Sequence, residues 1–137
     1  EIIVFLILLI GFKVPLLGII FYPIILIILA AFIYGVSLIL SSLTVYFTDL
    51  DNMWGFISRL LWFATPIFYS VGGQTKLFLF NLFNPLYYFI TISRDIVIYN
   101  KMPSLWTIGG MLGFTLIFLV IGLIIFNKLK YKFAELI

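Results

Sequence analysis

The chain has 137 residues, of which 65% are hydrophobic, 20% are aromatic and only 9% are charged. Soluble domains carry about 25% charged residues, so this composition excludes a soluble domain, whose surface must face water. The net charge of +3 is concentrated near the C-terminal end and indicates membrane topology, not nucleic-acid binding. Without histidine, cysteine or a cluster of carboxylates, the sequence offers none of the usual zinc, haem or acid–base sites, and it leaves the redox compartment undetermined.

The first apolar segment, residues 2–12, is too short to cross a bilayer. Because the chain begins with Glu1 and not with methionine, we expect this segment to be the second half of a span in a fragment of a longer protein. The next predicted span covers residues 17–46, with Pro23 near one end. Its continuous Leu, Ile and Phe residues predict a helix, because a barrel strand alternates apolar with polar residues.

A polar stretch at residues 48–52 precedes the next predicted helix, residues 53–69. Asp49 or Asp51 is suited to cap this helix, because carboxylates accept hydrogen bonds from the free N–H groups of a first turn. Arg59 lies inside the helix, where its long side chain is expected to reach back toward the lipid headgroups.

Residues 76–101 are apolar but interrupted. Pro85 divides them into two pieces that are each shorter than a span, and Arg94 and Asp95 add charge to the second piece. A re-entrant pair of helices fits this pattern better than a single crossing, provided that protein or a cavity shields it from lipid. Charge counting alone leaves both topologies open.

The last predicted span covers residues 104–126. Gly109 and Gly113 have the spacing that lets two helices approach closely, which predicts packing within the subunit or across a dimer. The basic, amphipathic tail at residues 127–133 predicts a cytoplasmic C-terminus by the positive-inside rule.

Several segments, in this order, carry a family resemblance. They are Val-Tyr-Phe-Thr-Asp-Leu-Asp-Asn-Met-Trp (residues 45–54), Leu-Trp-Phe-Ala-Thr-Pro-Ile-Phe-Tyr (61–69), Asn-Pro-Leu-Tyr-Tyr-Phe-Ile (84–90), Arg94-Asp95 and Lys-Phe-Ala-Glu-Leu (132–136). The chain resembles the permease subunit of polysaccharide and polyol-phosphate exporters, the type-2 class of ABC transporter membrane proteins that includes O-antigen and teichoic acid exporters. The resemblance covers essentially the whole chain, as the last three and a half of the family's six spans.

This resemblance implies an all-α, polytopic fold in which residues 1–137 form a single transmembrane domain. It implies about 3.5 spans and a re-entrant hairpin at residues 73–101, before the last span, that gates the outer face. It also implies a homodimer around a central channel, with two cytoplasmic ATPase subunits that bind the ATP. The chain departs from the family at Thr48-Asp49, where Arg-Asp is usual, which weakens the expectation of a salt bridge there.

Aromatic residues are the candidates for a substrate channel, because aromatic faces stack on sugar rings. The alternative reading assigns tryptophan and tyrosine to belts at the membrane interfaces. The channel candidates are Trp62, Phe63, Phe68, Tyr69, Tyr87 and Tyr88.

The predicted gate hairpin contains Asn84, Pro85, Arg94 and Asp95. An ionisable pair at membrane depth is a functional hypothesis by default. Arg94 and Asp95 either hold the gate helices, meet a phosphate on the cargo, or anchor the chain at the water edge.

In the loop before the 53–69 helix, Thr48, Asp49 and Asp51 are predicted to contact the ATPase subunit. Helix capping is the alternative role for the two carboxylates.

The favoured function is export of a lipid-linked polysaccharide or related cell-surface glycan across the cytoplasmic membrane. The sequence contains no Gly-x-x-x-x-Gly-Lys-Ser/Thr motif, so ATP hydrolysis belongs to a partner subunit. No catalytic, cofactor or metal residue is assigned, and the chain is expected not to be an enzyme. Its expected partners are a second copy of itself, the ATPase dimer, membrane lipids and the lipid-linked glycan.

Three alternatives stay open. One is a type-2 exporter of a drug, haem or another small molecule. The second is an ion-coupled transporter, which usually needs carboxylates buried within its spans. The third is a membrane-embedded enzyme that processes glycans or lipids, for which only Asp49 and Asp51 are candidate residues.

Overall fold

The computed structural model describes residues 16–47, 49–66, 79 and 81–136. Regular secondary structure within these residues is exclusively helical, which confirms the all-α prediction for this part of the chain. The predicted half-span at residues 2–12 lies outside the described residues. The helices are α1 (Leu16–Thr44), α2 (Leu50–Ala64), α3 (Pro85–Val97) and α4 (Leu105–Leu136).

Two of the described helices are long and apolar enough to cross a membrane, over Ile20–Thr44 in α1 and Leu105–Lys130 in α4. At about 1.5 Å per residue, each exceeds the bilayer core of about 30 Å. Large apolar side chains on both helices, including Ile27 and Leu116, remain exposed at the surface of the chain. A surface of this kind is stable in lipid and unfavourable in water, so we describe the chain as a membrane protein.

Helices α1 and α4 pack side by side and run in the same direction. Near their N-terminal ends, Phe21 and Leu105 line a common cavity. Further along, the rings of Phe32 and Phe118 meet edge to face, with centroids 5.2 Å apart. The N-terminal ends of α1 and α4 therefore lie at the same end of the helix pair.

The closest approach of α1 and α4 depends on two glycines. A Cβ atom added at Gly35 would lie 2.7 Å from the backbone nitrogen of Leu119. One added at Gly122 would lie 2.5 Å from the carbonyl oxygen of Gly35. Because real Cβ atoms do not approach backbone this closely, only glycine permits this crossing.

Helix α3 is short and runs antiparallel to α1 and α4 along their N-terminal halves. Phe89 packs against Phe32, with ring centroids 5.7 Å apart. Tyr88 packs against Phe114 at 5.5 Å, and its ring occupies the space that a Cβ atom at Gly110 would need. The buried core of the described residues lies between these three helices and consists of Ile25, Phe32, Tyr88, Phe89, Ile92, Ile96 and Met111.

Helix α2 follows α1 after a tight turn and packs only sparsely against it. Its predicted range was 53–69, whereas the observed helix begins earlier, at Leu50, and ends at Ala64. The helix stops because Thr65 precedes Pro66, and a residue before proline is driven from the helical to the extended region. Thr65 has φ −85° and ψ 132° accordingly.

Helix α1 agrees with the predicted 17–46 within two residues and continues through Pro23. Helix α4 begins as predicted, but it extends through the basic tail to Leu136 without a break. The number of spans and the re-entrant hairpin stay predictions.

Gly109 and Gly113, predicted to permit close packing, face open space among the described residues. A Cβ atom at either position would meet nothing within 4 Å. Close packing inside this part of the chain uses Gly35, Gly110 and Gly122 instead.

Candidate functional site

Among the described residues, a cluster of buried polar side chains lies where the C-terminal end of α2 meets α3. Thr65 is 2% exposed, Asn81 is 0% exposed and Asn84 is nearly buried, and Arg94 is half-buried beside them. We call Thr65, Pro66, Asn81, Asn84 and Arg94 the polar junction. Buried polar groups are stable only when they are hydrogen-bonded, so the bonds within the junction determine how α2 and α3 are joined.

Asn84 starts α3 and fastens it to α2 at the same time. Its Oδ1 accepts a hydrogen bond from the backbone N–H of Leu86 at 3.0 Å, which caps the helix. Pro85 occupies the first turn, where its missing N–H has no cost. The Nδ2 of Asn84 donates to the Oγ1 of Thr65 at 3.0 Å. One side chain therefore satisfies the helix start and connects it to the end of α2.

Arg94 makes the second connection from the last turn of α3. Its Nη2 donates to the carbonyl oxygen of Pro66 at 2.9 Å, across 28 positions of sequence. A hydrogen bond with a charged donor is stronger than one between neutral groups, and a cation in a last turn interacts favourably with the helix dipole. This bond joins α3 to the end of α2, outside the predicted hairpin 73–101, and the three roles predicted for Arg94 stay predictions.

Asp95 and the loop after α3 form a fixed turn. The backbone N–H of Lys101 donates to the carbonyl oxygen of Asp95 at 2.9 Å. Asn100 lies in the left-handed region, with φ 50°, a conformation that asparagine tolerates better than most residues. The side chain of Asp95 is half-buried.

The channel candidates fall into two groups in the structure. Trp62 and Phe63 lie near the end of α2, are 50% and 72% exposed, and pack edge to face with centroids 5.1 Å apart. Tyr87 is half-buried. Tyr88 is 4% exposed, and its hydroxyl donates to the carbonyl oxygen of Leu82 at 2.9 Å. Tyr88 therefore packs within this chain, and among the described candidates Trp62 and Phe63 have the most exposed side chains.

Phe68 and Tyr69, the other two channel candidates, lie outside the described residues.

In the loop between α1 and α2, Asp49 is exposed and occupies the position before the first turn of α2. Its side chain makes no capping hydrogen bond with the helix and instead accepts one from the Nδ2 of Asn52. The carboxylate therefore stays at the surface. Thr48 and the side chain of Asp51 lie outside the described part of the chain.

Sequence reasoning missed the roles of Thr65 and of the Gly35–Gly122 pair. Thr65 belongs to the Thr-Pro-Ile-Phe-Tyr segment, where a hydroxyl directly before a proline in an apolar run was the available signal. Gly35 and Gly122 lie on different helices, so no spacing within the sequence pairs them. Only the fold brings them together.

Comparison with known proteins gives two curated relatives, both described as "O-antigen export system permease protein RfbA" from Klebsiella pneumoniae. One is 36% identical over 108 residues, which are 77% of this chain and 41% of the relative. The other is 33% identical over 121 residues, which are 84% of this chain and 44% of the relative. The chain thus spans less than half the length of the curated relatives it matches. No family model matches the chain, and no solved structure matches it.

Proposed function

Because this chain belongs to the family of the O-antigen export permeases, the membrane subunits of type-2 ABC exporters, we propose that it forms part of an exporter of lipid-linked polysaccharide or a related cell-surface glycan. A separate ATPase subunit drives the transport. The likeness to permeases over four fifths of the chain is the observation that carries this proposal. The chain is a transport subunit and not an enzyme.

The proposed topology places the C-terminus and the Asp49 loop in the cytoplasm. It is supported by the parallel direction of α1 and α4, because the C-terminal ends of both spans then face the same side. The basic residues Lys128 and Lys130 lie near that end of α4, as the positive-inside rule requires of a cytoplasmic end. The exposed carboxylate of Asp49 is then available to the ATPase subunit.

The proposed gate is a re-entrant hairpin at residues 73–101. It is supported by the depth of α3, whose first turn packs beside Gly110 and Phe114. Phe114 lies about 13 Å along α4 from Leu105, less than half of a bilayer core of about 30 Å. A helix that starts there and ends level with Leu105 enters one leaflet without crossing the other.

The proposed partner is a second copy of the chain. The open face of α4 at Gly109 and Gly113 supports this, because small residues let a facing helix approach closely in a membrane. Substrate would pass along surfaces such as Trp62 and Phe63, where aromatic faces stack on sugar rings without binding them tightly.

Cysteine accessibility in cells tests the topology, because residues 1–137 contain no cysteine and any cysteine elsewhere in the full-length protein can be replaced by serine. Single cysteines are introduced at Ser70, Asn100 and Asn127 of the full-length protein and labelled with a membrane-impermeant thiol reagent. We expect the first two positions to label from outside and Asn127 to label only after the membrane is permeabilised. Labelling of Ser70 and Asn100 from opposite sides would mean that the intervening segment crosses the membrane, and the gate would have to be abandoned.

Export itself is tested in cells from which the natural permease gene is deleted. Restoring the full-length protein should return glycan to the cell surface, measured with a glycan-specific antibody on intact cells. The partner ATPase with a disabled Walker A lysine should give none. If surface glycan is unaffected by deletion while export of a small molecule is lost, the cargo assignment is wrong.

A further inference from the structure

A cavity of about 440 Å³ lies at the N-terminal ends of α1 and α4, beside the end of α3. Its size is within the range of about 300–1,000 Å³ that is usual for small-molecule sites. Among the described residues that line it, all are apolar except Asn100 and Lys101. The interior therefore offers a hydrocarbon chain the same environment as a protein core, and it offers a polar ligand nothing to bond with.

The rim of the cavity is open to the surroundings of the chain. Ile24 on α1 and Leu105 on α4 are both exposed, while Ile92 on α3 and Met111 on α4 are buried deeper inside. In a bilayer the molecules next to such an apolar rim are lipids. An acyl chain can thus enter sideways from the leaflet without passing through water.

One positive charge lies at the mouth of this cavity. Within the described part of the chain, Lys101 is the one ionisable residue that lines it, and it is exposed. The hydrogen bond from its backbone N–H to the carbonyl oxygen of Asp95, together with the left-handed turn at Asn100, holds the backbone of Lys101 beside the cavity. An ammonium group is a compact partner for a phosphate, and it lies where the headgroup of a lipid would be if the acyl chain filled the cavity.

We propose that this cavity binds an acyl chain of an anionic phospholipid, whose phosphate contacts Lys101. The bound lipid would lie between α1, α3 and α4. The C-terminal end of α3 would then be held by the lipid as well as by the hydrogen bond from Arg94 to Pro66. This inference concerns the surrounding membrane and not the exported cargo, and it stands independently of the proposed function.

Photo-crosslinking in bilayers tests the proposal. The full-length protein is placed in phosphatidylcholine nanodiscs that contain a small share of a probe lipid with a diazirine near the end of one acyl chain. The probe is either phosphatidylglycerol or phosphatidylcholine, and crosslinked peptides are mapped by mass spectrometry. We expect labelling of the peptides that contain Ile25 and Met111, and stronger labelling by the phosphatidylglycerol probe.

Two variants with matched controls separate the charge from the cavity. Lys101→Gln should lower labelling by phosphatidylglycerol about fivefold, to the level of phosphatidylcholine, since one lysine near the surface attracts anionic lipid with about this factor. Lys128→Gln, at the other end of α4, should leave it unchanged. Ile24→Trp should fill the rim and remove cavity labelling by both probes, whereas Ile27→Trp, exposed on the same helix but outside the cavity, should not.

Two results would overturn the proposal. Equal labelling by the two probes, unaffected by Lys101→Gln, would mean that Lys101 is only an interfacial anchor and that no anionic lipid is selected. Absence of labelling at Ile25 and Met111 with either probe would mean that another part of the assembly fills the cavity.

Discussion

The contact between α1 and α4 brings backbone against backbone, whereas the contact between α2 and α3 is made through side-chain hydrogen bonds. At Gly35 and Gly122 the two spans approach so closely that no side chain fits between them. At the polar junction, Asn84 and Arg94 reach across to Thr65 and to the carbonyl of Pro66. The two contacts differ in how they can change.

This difference predicts which contact stays rigid and which contact can rearrange. A glycine crossing is stabilised by many small dispersion contacts that are lost together when the helices separate, so α1 and α4 should move as one body. A few hydrogen bonds can exchange for others in small steps, at a modest net cost for each bond. We therefore expect conformational change during transport to occur at the polar junction and not between α1 and α4.

The largest expected effect is at the glycine crossing. Gly122→Ala places a methyl group 2.5 Å from the carbonyl oxygen of Gly35, and backbone cannot move aside unless the helices separate. We expect a loss of about 3 kcal/mol in the free energy of unfolding, the upper part of the usual range for overpacking. The measurement is unfolding of the purified full-length protein in detergent, followed by intrinsic fluorescence.

The matched control is Gly55→Ala within α2, where the added methyl group meets nothing within 4 Å. There the exchange should be neutral or stabilise by up to about 1 kcal/mol, because alanine restricts the unfolded chain. If the two variants had the same stability, the α1–α4 contact would not be a tight crossing, and α1 and α4 would no longer be expected to move as one body.

A smaller loss is expected from Arg94→Gln at the polar junction. This change removes the charged donor to the carbonyl oxygen of Pro66, and hydrogen bonds to charged groups contribute about 1.5–3 kcal/mol. We expect a loss of about 2 kcal/mol together with a reduced rate of glycan export. Arg59→Gln, an equal change of charge at an exposed site on α2, should alter stability by less than about 0.5 kcal/mol.

Export is the decisive readout for Arg94. If Arg94→Gln lowered stability but left the export rate unchanged at a temperature where the protein stays folded, the bond would be structural only. The polar junction would then not be the moving part.

The two functions of Asn84 can be separated by comparing Asn84→Ala with Asn84→Ser. Serine keeps the cap on α3 but loses the donor to Thr65, while alanine loses both. Loss of a cap typically costs about 1 kcal/mol, so alanine should be less stable than serine by about that amount. Adding Thr65→Val to the serine variant should cost about a further 1 kcal/mol, because the Oγ1 of Thr65 also donates to the carbonyl oxygen of Leu61 at 2.6 Å. No further loss would mean that this second hydrogen bond does not contribute to stability.

The sequence was sufficient for the parts of the fold that depend on local patterns. The uncharged apolar runs predicted α1 and the start of α4, and Pro85, which divides residues 76–101 in the sequence, lies in the first turn of α3. The end of α2 was predicted too late, because the prediction followed the apolar run to residue 69. Pro66 instead stops the helix at Ala64.

The contacts between helices could not be predicted from the sequence, for physical reasons. Gly109 and Gly113 carry the spacing of a packing motif, yet the tight contact uses Gly35 and Gly122, whose partnership depends on the relative rotation of two helices far apart in sequence. The bond from Arg94 to Pro66 likewise joins a side chain to a backbone oxygen, and any residue at the acceptor position would supply that oxygen.

The smallest effect on stability, and the most specific one for transport, is expected at Trp62. Its ring is half exposed and meets Phe63 edge to face, so Trp62→Leu should cost less than about 1.5 kcal/mol. If the ring provides a stacking surface for sugars, the export rate should nevertheless fall severalfold. Trp106→Leu, an equally large change at an exposed site at the start of α4, should leave export unchanged if Trp106 serves only as an interfacial anchor. Equal effects of the two substitutions would assign both tryptophans to interfacial belts, and the path of the glycan would then have to be sought on another face.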